Sequence, residues 1–507
     1  MYMDYFIGID MGTSSAKALA MGIGGESLGV VTQGYPVISD REGQHEEDPE
    51  TIFDAFIKVG AEIVHTVPAS YRLAGISFSA AMHGLLVMDG EGQPLSRLIT
   101  WADTRAAAVT ANFKGTETAK RIYRLTGTPI HPMSPLCKLL WLRETDPALF
   151  GRAGKFVSIK EYIWYRLFGA FEVDHSIASA TGLFDTLSLT WSEEALQAAA
   201  IGPEQLSLPV PVTYRRKDLS LPLREKLGIP EDVPFIIGAG DGCLANLGSG
   251  VVSPGEASLT IGTSGAVRAT TSLWKTDAEQ RLFSYLLTDQ YYVTGGAINN
   301  GGNLLQWFTG LLKTEGPPSP ADDLETLLDE AFSLPPGASG LLFLPYLYGE
   351  RAPMWDADAR GAFIGLRSYH GRKHLLKAVT EGICYALYDI FTILEEVAGP
   401  MEILYASGGF TRNQAWVQQV ADLFGKPVRL TEEADASATG AALLGMLALG
   451  VLSSVADAPR HIKQGKTFLP DPGKHGTYLR YFELYRNLYT LLKPTFEALD
   501  KSEIREQ

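Results

Sequence analysis

Cysteine is scarce in this chain. Three are present in 507 residues, Cys137, Cys243 and Cys384, far apart and with no C-x-x-C spacing. They read as reduced, packed thiols in a cytoplasmic protein rather than a disulfide framework. Positive charge is also short: 43 Lys and Arg stand against 58 Asp and Glu, a formal net charge of −15. That argues against a sequence-independent nucleic-acid surface, which needs clustered Lys and Arg. It does not argue against binding a small anion, because one local cation or a metal overrides the global balance. No uncharged apolar run is long enough to span a bilayer. The N-terminus opens on a core strand, not on a basic-then-apolar signal. A Walker A string, G-x-x-x-x-G-K-[ST], is missing as well. What is present, 46% hydrophobic and 20% charged residues, is ordinary for a globular protein with a large core. The length fits two or three domains.

The stretch that organises the rest is Tyr5 to Met21, YFIGIDMGTSSAKALAM. An apolar run, Tyr5 to Ile9, reads as a buried strand. It ends in Asp10, and Gly12-Thr13-Ser14-Ser15 then turns the chain into a second β-favouring segment, Ala16 to Met21. Gly12, without a Cβ, lets the backbone approach a bulky anion. Successive N–H groups of such a turn form an anion-binding nest, and the hydroxyls add donors. Asp10 would repel a bare phosphate. It fits if a divalent cation stands between the two, since Mg²⁺ is commonly held by a carboxylate and phosphate oxygens together. The same residues also make an ordinary hairpin turn.

Further along, Pro49 to Val67 reads as a helix, with Asp48 at the N-cap and Pro at the first position. Leu73 to Ser79 reads as a strand. Leu85 to Asp89 and Pro94 to Thr100 read as the two arms of a hairpin that runs into Trp101-Ala102-Asp103-Thr104-Arg105. Ser134 to Glu144 reads as a short helix carrying Lys138. Phe156 to Ile159 reads as a strand, and Glu161 to Phe168 as a helix. Val173 to Asp185, small and polar, reads as a loop lining a site. Pro203 to Pro234, broken by prolines and charges, reads as a surface connection. Leu376, Val379, Ile383, Leu387, Ile390 and Leu394 recur at spacings of three and four, so a helix from about His370 to Val397 is buried along one face. Ala436 to Leu449 is a small-residue helix whose Gly440, Ala441, Ala442 and Gly445 permit close approach of a ligand or a neighbouring helix. Tyr478 to Ala498 is amphipathic.

Phe235 to Gly240 is another buried strand, and it ends at Asp241-Gly242. Then comes SLTIGTSGAVRAT, Ser258 to Thr270. Set beside IGIDMGTSSAKALA it repeats one pattern: apolar strand, Gly-Thr-Ser turn, small-residue strand. The match is short. It points to two similar half-molecules, each with a Gly-Thr-Ser hairpin.

The set Asp10 to Ser14, Gly240-Asp241-Gly242, Gly262-Thr263-Ser264 and Ser407-Gly408-Gly409 resembles the FGGY carbohydrate kinases. Met133 to Trp141 is similar to the family's first signature. Gly361 to Glu381 is similar to its second, with Thr380 in place of the usual apolar residue. The resemblance covers nearly the whole chain. It implies an α/β fold of two ribonuclease-H-like domains, as in actin and hexokinase, with a cleft between them. The division falls at 1–246 for an N-terminal, sugar-binding domain and 247–507 for a C-terminal, nucleotide-binding domain. It implies ATP-dependent phosphorylation of a sugar-like hydroxyl with Mg²⁺. TGTPIHPMSP (Thr126 to Pro135), Met82-His83, Trp101 to Asp103 and Ala297 to Asn303 point to gluconate as acceptor. Xylulose is the alternative, since Met82-His83-Gly84 is shared with its kinases, although Ala80-Ala81 stands where those usually carry Gly-Gln. A homodimer is an assembly the resemblance allows.

The resemblance also assigns roles. Asp241 is the general base, although a glycine-flanked aspartate of this kind is equally a helix cap. Asp10 and Asp241 hold the metal. Gly12, Thr13, Ser14, Gly262, Thr263 and Ser264 cradle phosphates, and Gly302, Gln306, Gly408, Gly409 and Asn413 contact the nucleotide. Met82, His83, Trp101 and Asp103 face the acceptor, with burial at a strand end the other reading for Trp101. A carboxylate-bearing acceptor asks for a cation or several donors. Arg105, His131, Lys138 and His175 are the candidates, and Lys138 is equally a structural partner. An actin-like or chaperone-like ATPase without a sugar acceptor is the competing class. The polar segments 80–105 and 173–185 favour a small-molecule acceptor instead.

Overall fold

The computed structural model describes residues 2–312, 324–432 and 435–502. They form two compact units. The first comprises Met1–Pro254, Thr270–Thr294 and Glu432–Lys463, the second Gly255–Ala269, Gly295–Thr431 and Gln464–Gln507. The expected cut between 246 and 247 lies near the end of the first long segment. The chain nevertheless returns twice to the first unit. Tyr123 ties down the first return by donating to the carbonyl of Leu282 at 2.6 Å. The second brings in the helix Ala436–Ala448, discussed below.

The first unit is built on a six-stranded sheet. Its order is Arg215–Arg216, Phe235–Gly240, Tyr71–Ala80, Met3–Met11, Ser15–Gly22, Ser27–Gly34. The first three strands of the chain form an antiparallel meander, and Tyr71–Ala80 and then Phe235–Gly240 add in parallel. Met3–Met11 is buried continuously from Tyr5 onward, as a strand covered on both faces must be. The helix Pro49–Thr66, capped by Asp48, buries Ile52, Phe53, Phe56, Val59 and Ile63 in that core. Ala436–Ala448 reaches the same strand: a Cβ on Gly8 would stand 1.9 Å from the carbonyl oxygen of Ala438. It also crosses the helix Asp241–Gly248, where a Cβ on Gly440 would meet the carbonyl of Leu244 at 2.0 Å. The small residues of this helix therefore serve close packing on a strand and on a helix.

The second unit repeats the plan. A hairpin, Glu256–Ile261 with Gly265–Thr271, is followed by Ile403–Ser407 parallel to its first arm and Val428–Thr431 parallel to that. Gln464–Phe468 closes the edge antiparallel. The long helix runs Arg372–Ala398, and all six residues of the expected apolar stripe are buried. The C-terminal helix is Pro472–Ser502. Among the described residues no helix is long and apolar enough to cross a membrane.

Three local expectations change. The hairpin after Leu85 shrinks to two isolated bridges, Leu85 with Ile99 and Met88 with Pro94. Pro94 has no N–H to give, and the N–H of Val87 goes to the Ser96 hydroxyl at 3.1 Å. Leu86–Met88 pairs with Lys155–Val157 instead. Residues 173–185 are not an open loop: Glu172–Asp174 is a strand, His175–Ser179 a helical turn, and Val173 to Ala180 are all buried. Asp174 accounts for this, capping the turn at the Ile177 N–H (2.9 Å) and pairing with buried Lys160 at 2.8 Å. Residues 203–234 are more than a connection. They supply the edge strand Arg215–Arg216 and the helix Leu221–Leu227, whose Leu227 is buried near Gly60.

Candidate active site

The first unit carries an acidic centre at the C-terminal ends of its parallel strands. Asp10 lies on Met3–Met11, paired in register with Ser79 on one side and Lys17 on the other. Neighbouring strands therefore bring all three side chains to one face. The Ser79 hydroxyl donates to Asp10 Oδ1 at 2.5 Å. Lys17 reaches Asp435, 2.8 Å away. Asp241 opens the helix that follows Phe235–Gly240, and Asp435 caps Ala436–Ala448 by accepting the Ala438 N–H at 3.0 Å. The Ser437 hydroxyl donates to the carbonyl of Asp241 at 3.2 Å, so the two helix starts are stitched together. Burial, then the charges of Asp435 and Asp241, push the Asp10 carboxyl up to about 8, against the pull of Ser79 and Lys17. A divalent cation there would offset that repulsion. Among the described residues no cluster of three or more His, Cys, Asp or Glu forms a metal cage. The donor set therefore fits an ion held by one or two carboxylates with the remaining positions left to phosphate and water, the usual habit of Mg²⁺.

The turn Gly12–Ser14 hangs beside this centre. Its Gly12 N–H donates to the Ser15 carbonyl at 3.1 Å. Tyr35 donates its hydroxyl to the Gly12 carbonyl, and the Trp101 indole N–H donates to Thr13 Oγ1 at 2.8 Å. Trp101, expected on the acceptor side, thus touches the turn. Met82 packs against Gly240, with its sulfur 2.7 Å from where a Cβ there would stand, next to Asp241. His83 adopts φ 68°, uncommon for a residue with a Cβ. Its Nδ1 lies 2.8 Å from the carbonyl of Ala180, and its ring edges onto Tyr285.

The other candidates are engaged by the protein itself. Asp103, buried, accepts from the His45 N–H at 2.9 Å and pairs with Arg105 at 2.7 Å. Arg105 in turn is shared with Glu46 and lies over Trp141. Lys138 is 1% exposed and donates to the carbonyls of His83 at 2.5 Å and Ile99 at 3.2 Å. Burial lowers its ammonium to about 7. The His131 Nδ1 accepts from the Met133 N–H at 3.2 Å, and His175 pairs with Asp289 at 2.7 Å.

The second unit holds a cavity of about 660 Å³. Of the residues the resemblance assigns to phosphate or nucleotide, Gly262, Thr263, Gly302, Gln306, Gly409 and Asn413 line it, and Ser264 and Gly408 do not. The turn Gly262–Ser264 is held from outside: Gly302 N–H donates to the Gly262 carbonyl at 2.7 Å, and Gly301 N–H to that of Thr263 at 3.2 Å. Gly408, at φ 99°, takes a conformation that favours glycine, and a Cβ on it would meet the Ile261 carbonyl at 2.5 Å. Leu305, Leu328, Phe410 and Trp416 supply an apolar wall. The volume and the mixed lining suit a nucleotide, with phosphates toward the glycine turn and the base against the apolar side. Asp435 and Tyr35, and the apolar wall of the cavity, are neighbours of these candidates that the sequence did not single out. The Asp435–Ala436–Ser437 start has the form of a helix cap, but nothing in the sequence joins it to Asp10, 425 positions earlier by number.

A duplicated hairpin fold, with acids at the sheet ends of one unit and a nucleotide-sized cavity in the other, fits a phosphotransferase, and the family match makes its acceptor a sugar hydroxyl. Residues 5–248 match the model for the N-terminal domain of the FGGY family of carbohydrate kinases, and residues 257–449 the model for its C-terminal domain. The chain belongs to this family. It is 38% identical over 500 residues to a gluconokinase of Bacillus subtilis (strain 168), covering 98% of this chain and 97% of that one. Two solved structures from Lactobacillus acidophilus, a gluconate kinase and a ligand-bound xylulose kinase, each match with a TM-score of 0.92 and 34% identity, over 98% of this chain and 100% of theirs.

Proposed function

We propose that the protein transfers the terminal phosphoryl group of ATP to D-gluconate, giving 6-phospho-D-gluconate and ADP. The full-length likeness to gluconokinase carries this reading. Xylulose is the second reading, favoured by the equal likeness to the Lactobacillus xylulose kinase structure.

In this mechanism Asp241 accepts the proton of the attacking hydroxyl and orients its oxygen. Phosphoryl transfer has a loose transition state, so positioning contributes more than basicity. The position of Asp241, beside Met82 at the mouth of the acidic centre, supports the role. Asp10 and Asp241 would hold Mg²⁺, which supplies positive charge to the phosphates. N–H and hydroxyl groups of Thr13 and Ser14, and of Thr263 and Ser264, would donate to phosphate oxygens, while Gly12 and Gly262, whose own N–H groups close their turns, would let the backbone come close to the phosphates. Gly302, Gln306, Gly409 and Asn413 would face the nucleotide. Met82, His83 and Trp101 would contact the acceptor. Asp103 and Lys138 would act through the loops they tie, with one of the three Lys138 donors left for the acceptor carboxylate. His131 remains a candidate for the same carboxylate. Three buried thiols support a reducing, cytoplasmic setting.

The test is a panel of aldonates, ketoses and polyols with ATP and Mg²⁺, read by ADP release. Gluconate should give the highest kcat/KM. A higher value for xylulose transfers the assignment to the second reading, and ADP release indifferent to every acceptor overturns both.

A further inference from the structure

Behind the turn Gly12–Ser14 lies a second, much smaller cavity of about 10 Å³, room for one water-sized group. Its wall includes Gly12, Thr13, Met82 and Trp101, all assigned above to phosphate or acceptor. It also includes Tyr35, Thr100 and Glu47, which no role has yet absorbed.

The polar groups of this wall are accounted for, with one exception. The Tyr35 hydroxyl is given to the Gly12 carbonyl. The Thr13 hydroxyl receives the Trp101 indole. The Thr100 hydroxyl is paired with His45, giving to its carbonyl at 3.0 Å. Glu47 is 2% exposed, and its Oε1 has no hydrogen-bond partner. Its neighbour Glu46 shows the contrast: that carboxylate is met by Arg105 at 2.5 Å and by Gln44 at 2.9 Å. An unsatisfied buried carboxyl costs stability, and its retention asks for a reason.

We propose that Glu47 is a specificity-determining residue of the acceptor site, receiving one hydroxyl of the polyol chain through Oε1 in the pocket between Trp101, Met82 and the Gly12–Ser14 turn. This rests on the kinase reading given above and deepens it. The size of the space admits one oxygen, not a ring or a charged head group. Burial raises the carboxyl to about 8, so near neutrality it suits a neutral hydroxyl rather than a cation. Glu47 is fixed by its strand, Glu46–Glu47, which pairs with Leu98–Ile99, one residue short of Trp101. The carboxyl and the indole are therefore delivered to the pocket by one ribbon.

The experiment compares gluconate with a series of deoxygluconates, each lacking one hydroxyl, at saturating ATP. The proteins are the wild type, Glu47→Gln, Glu47→Leu and the less disruptive Glu47→Met. In the wild type one analogue should lose roughly 10- to 100-fold in kcat/KM, the cost of leaving one buried carboxyl oxygen without its partner. In Glu47→Leu and Glu47→Met the same analogue should match gluconate to within about threefold, with KM for ATP unchanged. Glu47→Gln, which keeps an acceptor oxygen, should retain the discrimination. Equal losses in wild type and apolar variants for every analogue would overturn the proposal and leave Glu47 holding a buried water. So would a wild type that distinguishes no analogue. Gluconate-dependent ADP release by the wild type is read in the same assay, so failure of the kinase reading is seen separately.

Discussion

The two Gly-Thr-Ser hairpins can be compared position by position, because the sheet registers are the same. Two residues before the glycine stands Asp10 in the first and Thr260 in the second. Each pairs with a serine on the neighbouring parallel strand: Ser79 to Asp10 at 2.5 Å, Ser407 to Thr260 at 2.9 Å. Across the hairpin the partners are Lys17 and Ala266. One copy of the plan therefore places an acid and a base where the other places a hydroxyl and a methyl. The acidic copy, with Asp241 and Asp435 adding negative charge, repels a phosphate unless a cation intervenes. The neutral copy offers a phosphate no such barrier, and it borders the nucleotide-sized cavity. Duplication supplied the geometry, and a few side chains divided the chemistry.

The strongest way to break this comparison is at Asp241. Asp241→Asn should fold normally, judged by its thermal transition, and lose at least roughly 10³-fold in turnover. Near-normal activity would remove chemistry from the acidic copy. Asp10→Asn comes next. Turnover should fall on the order of 10²-fold, and the Mg²⁺ concentration for half-maximal rate should rise. A variant with an unaltered Mg²⁺ profile would separate Asp10 from the metal. The corresponding change in the neutral copy, Thr260→Val, should leave both quantities within about twofold of wild type.

The glycines sharpen the comparison further. A Cβ on Gly262 meets nothing within 4 Å, and one on Gly12 only the Ser15 carbonyl at 3.4 Å and Asp10 Oδ2 at 3.6 Å. Alanine is therefore tolerated by the protein alone at both turns. Any kinetic loss reports on what the turn receives. Gly262→Ala should raise KM for ATP by about tenfold, the cost of moving a phosphate off its donors, and leave KM for the acceptor unchanged. Equal effects on both substrates would mean that the two turns are not specialised.

Much of this was legible in the chain. Apolar runs ending in Gly-Thr-Ser, the stripe from Leu376 to Leu394, and the Gly240-Asp241-Gly242 step announced strands, a buried helix and an acid at a strand end. What stayed hidden depends on contacts distant in sequence. Asp435 looks like a cap until Ala436–Ala448 is seen lying on Gly8. Lys138 and Arg105 look like ligands for a carboxylate, and Asp103 like a partner for a hydroxyl, until two of the Lys138 donors are found on carbonyls and Arg105 and Asp103 are found paired with each other. The segment 173–185 reads as polar and open, yet its polar groups are satisfied internally through Asp174 and Lys160, so it is buried. Composition cannot tell a polar residue awaiting a ligand from one already paired.

The smallest effect expected is in stability against pH, and it distinguishes two adjacent acids of the first unit that a sequence treats alike. Glu46 has its charge compensated by Arg105. Glu47 is held by burial at a proton affinity near 8, well above the ordinary value of 4.5. Between those two pH values the folded chain keeps a proton on Glu47 that the unfolded chain releases. The folded state binds more protons, so stability falls as pH rises from about 4.5 to 8. Glu47→Gln carries no titrating group and lacks that slope. The difference in Tm, variant minus wild type, should grow by a few degrees between pH 5 and pH 8.5, since about 4 kcal/mol of proton linkage is lost there and about 1 kcal/mol shifts Tm by about 1 °C in a protein of this size. Glu46→Gln, which removes a partner of Arg105 and leaves Glu47 in place, should show no such growth. A Tm difference for Glu47→Gln that is flat in pH would mean that its carboxyl is solvated after all, and the acceptor role drawn from its isolation would go with it.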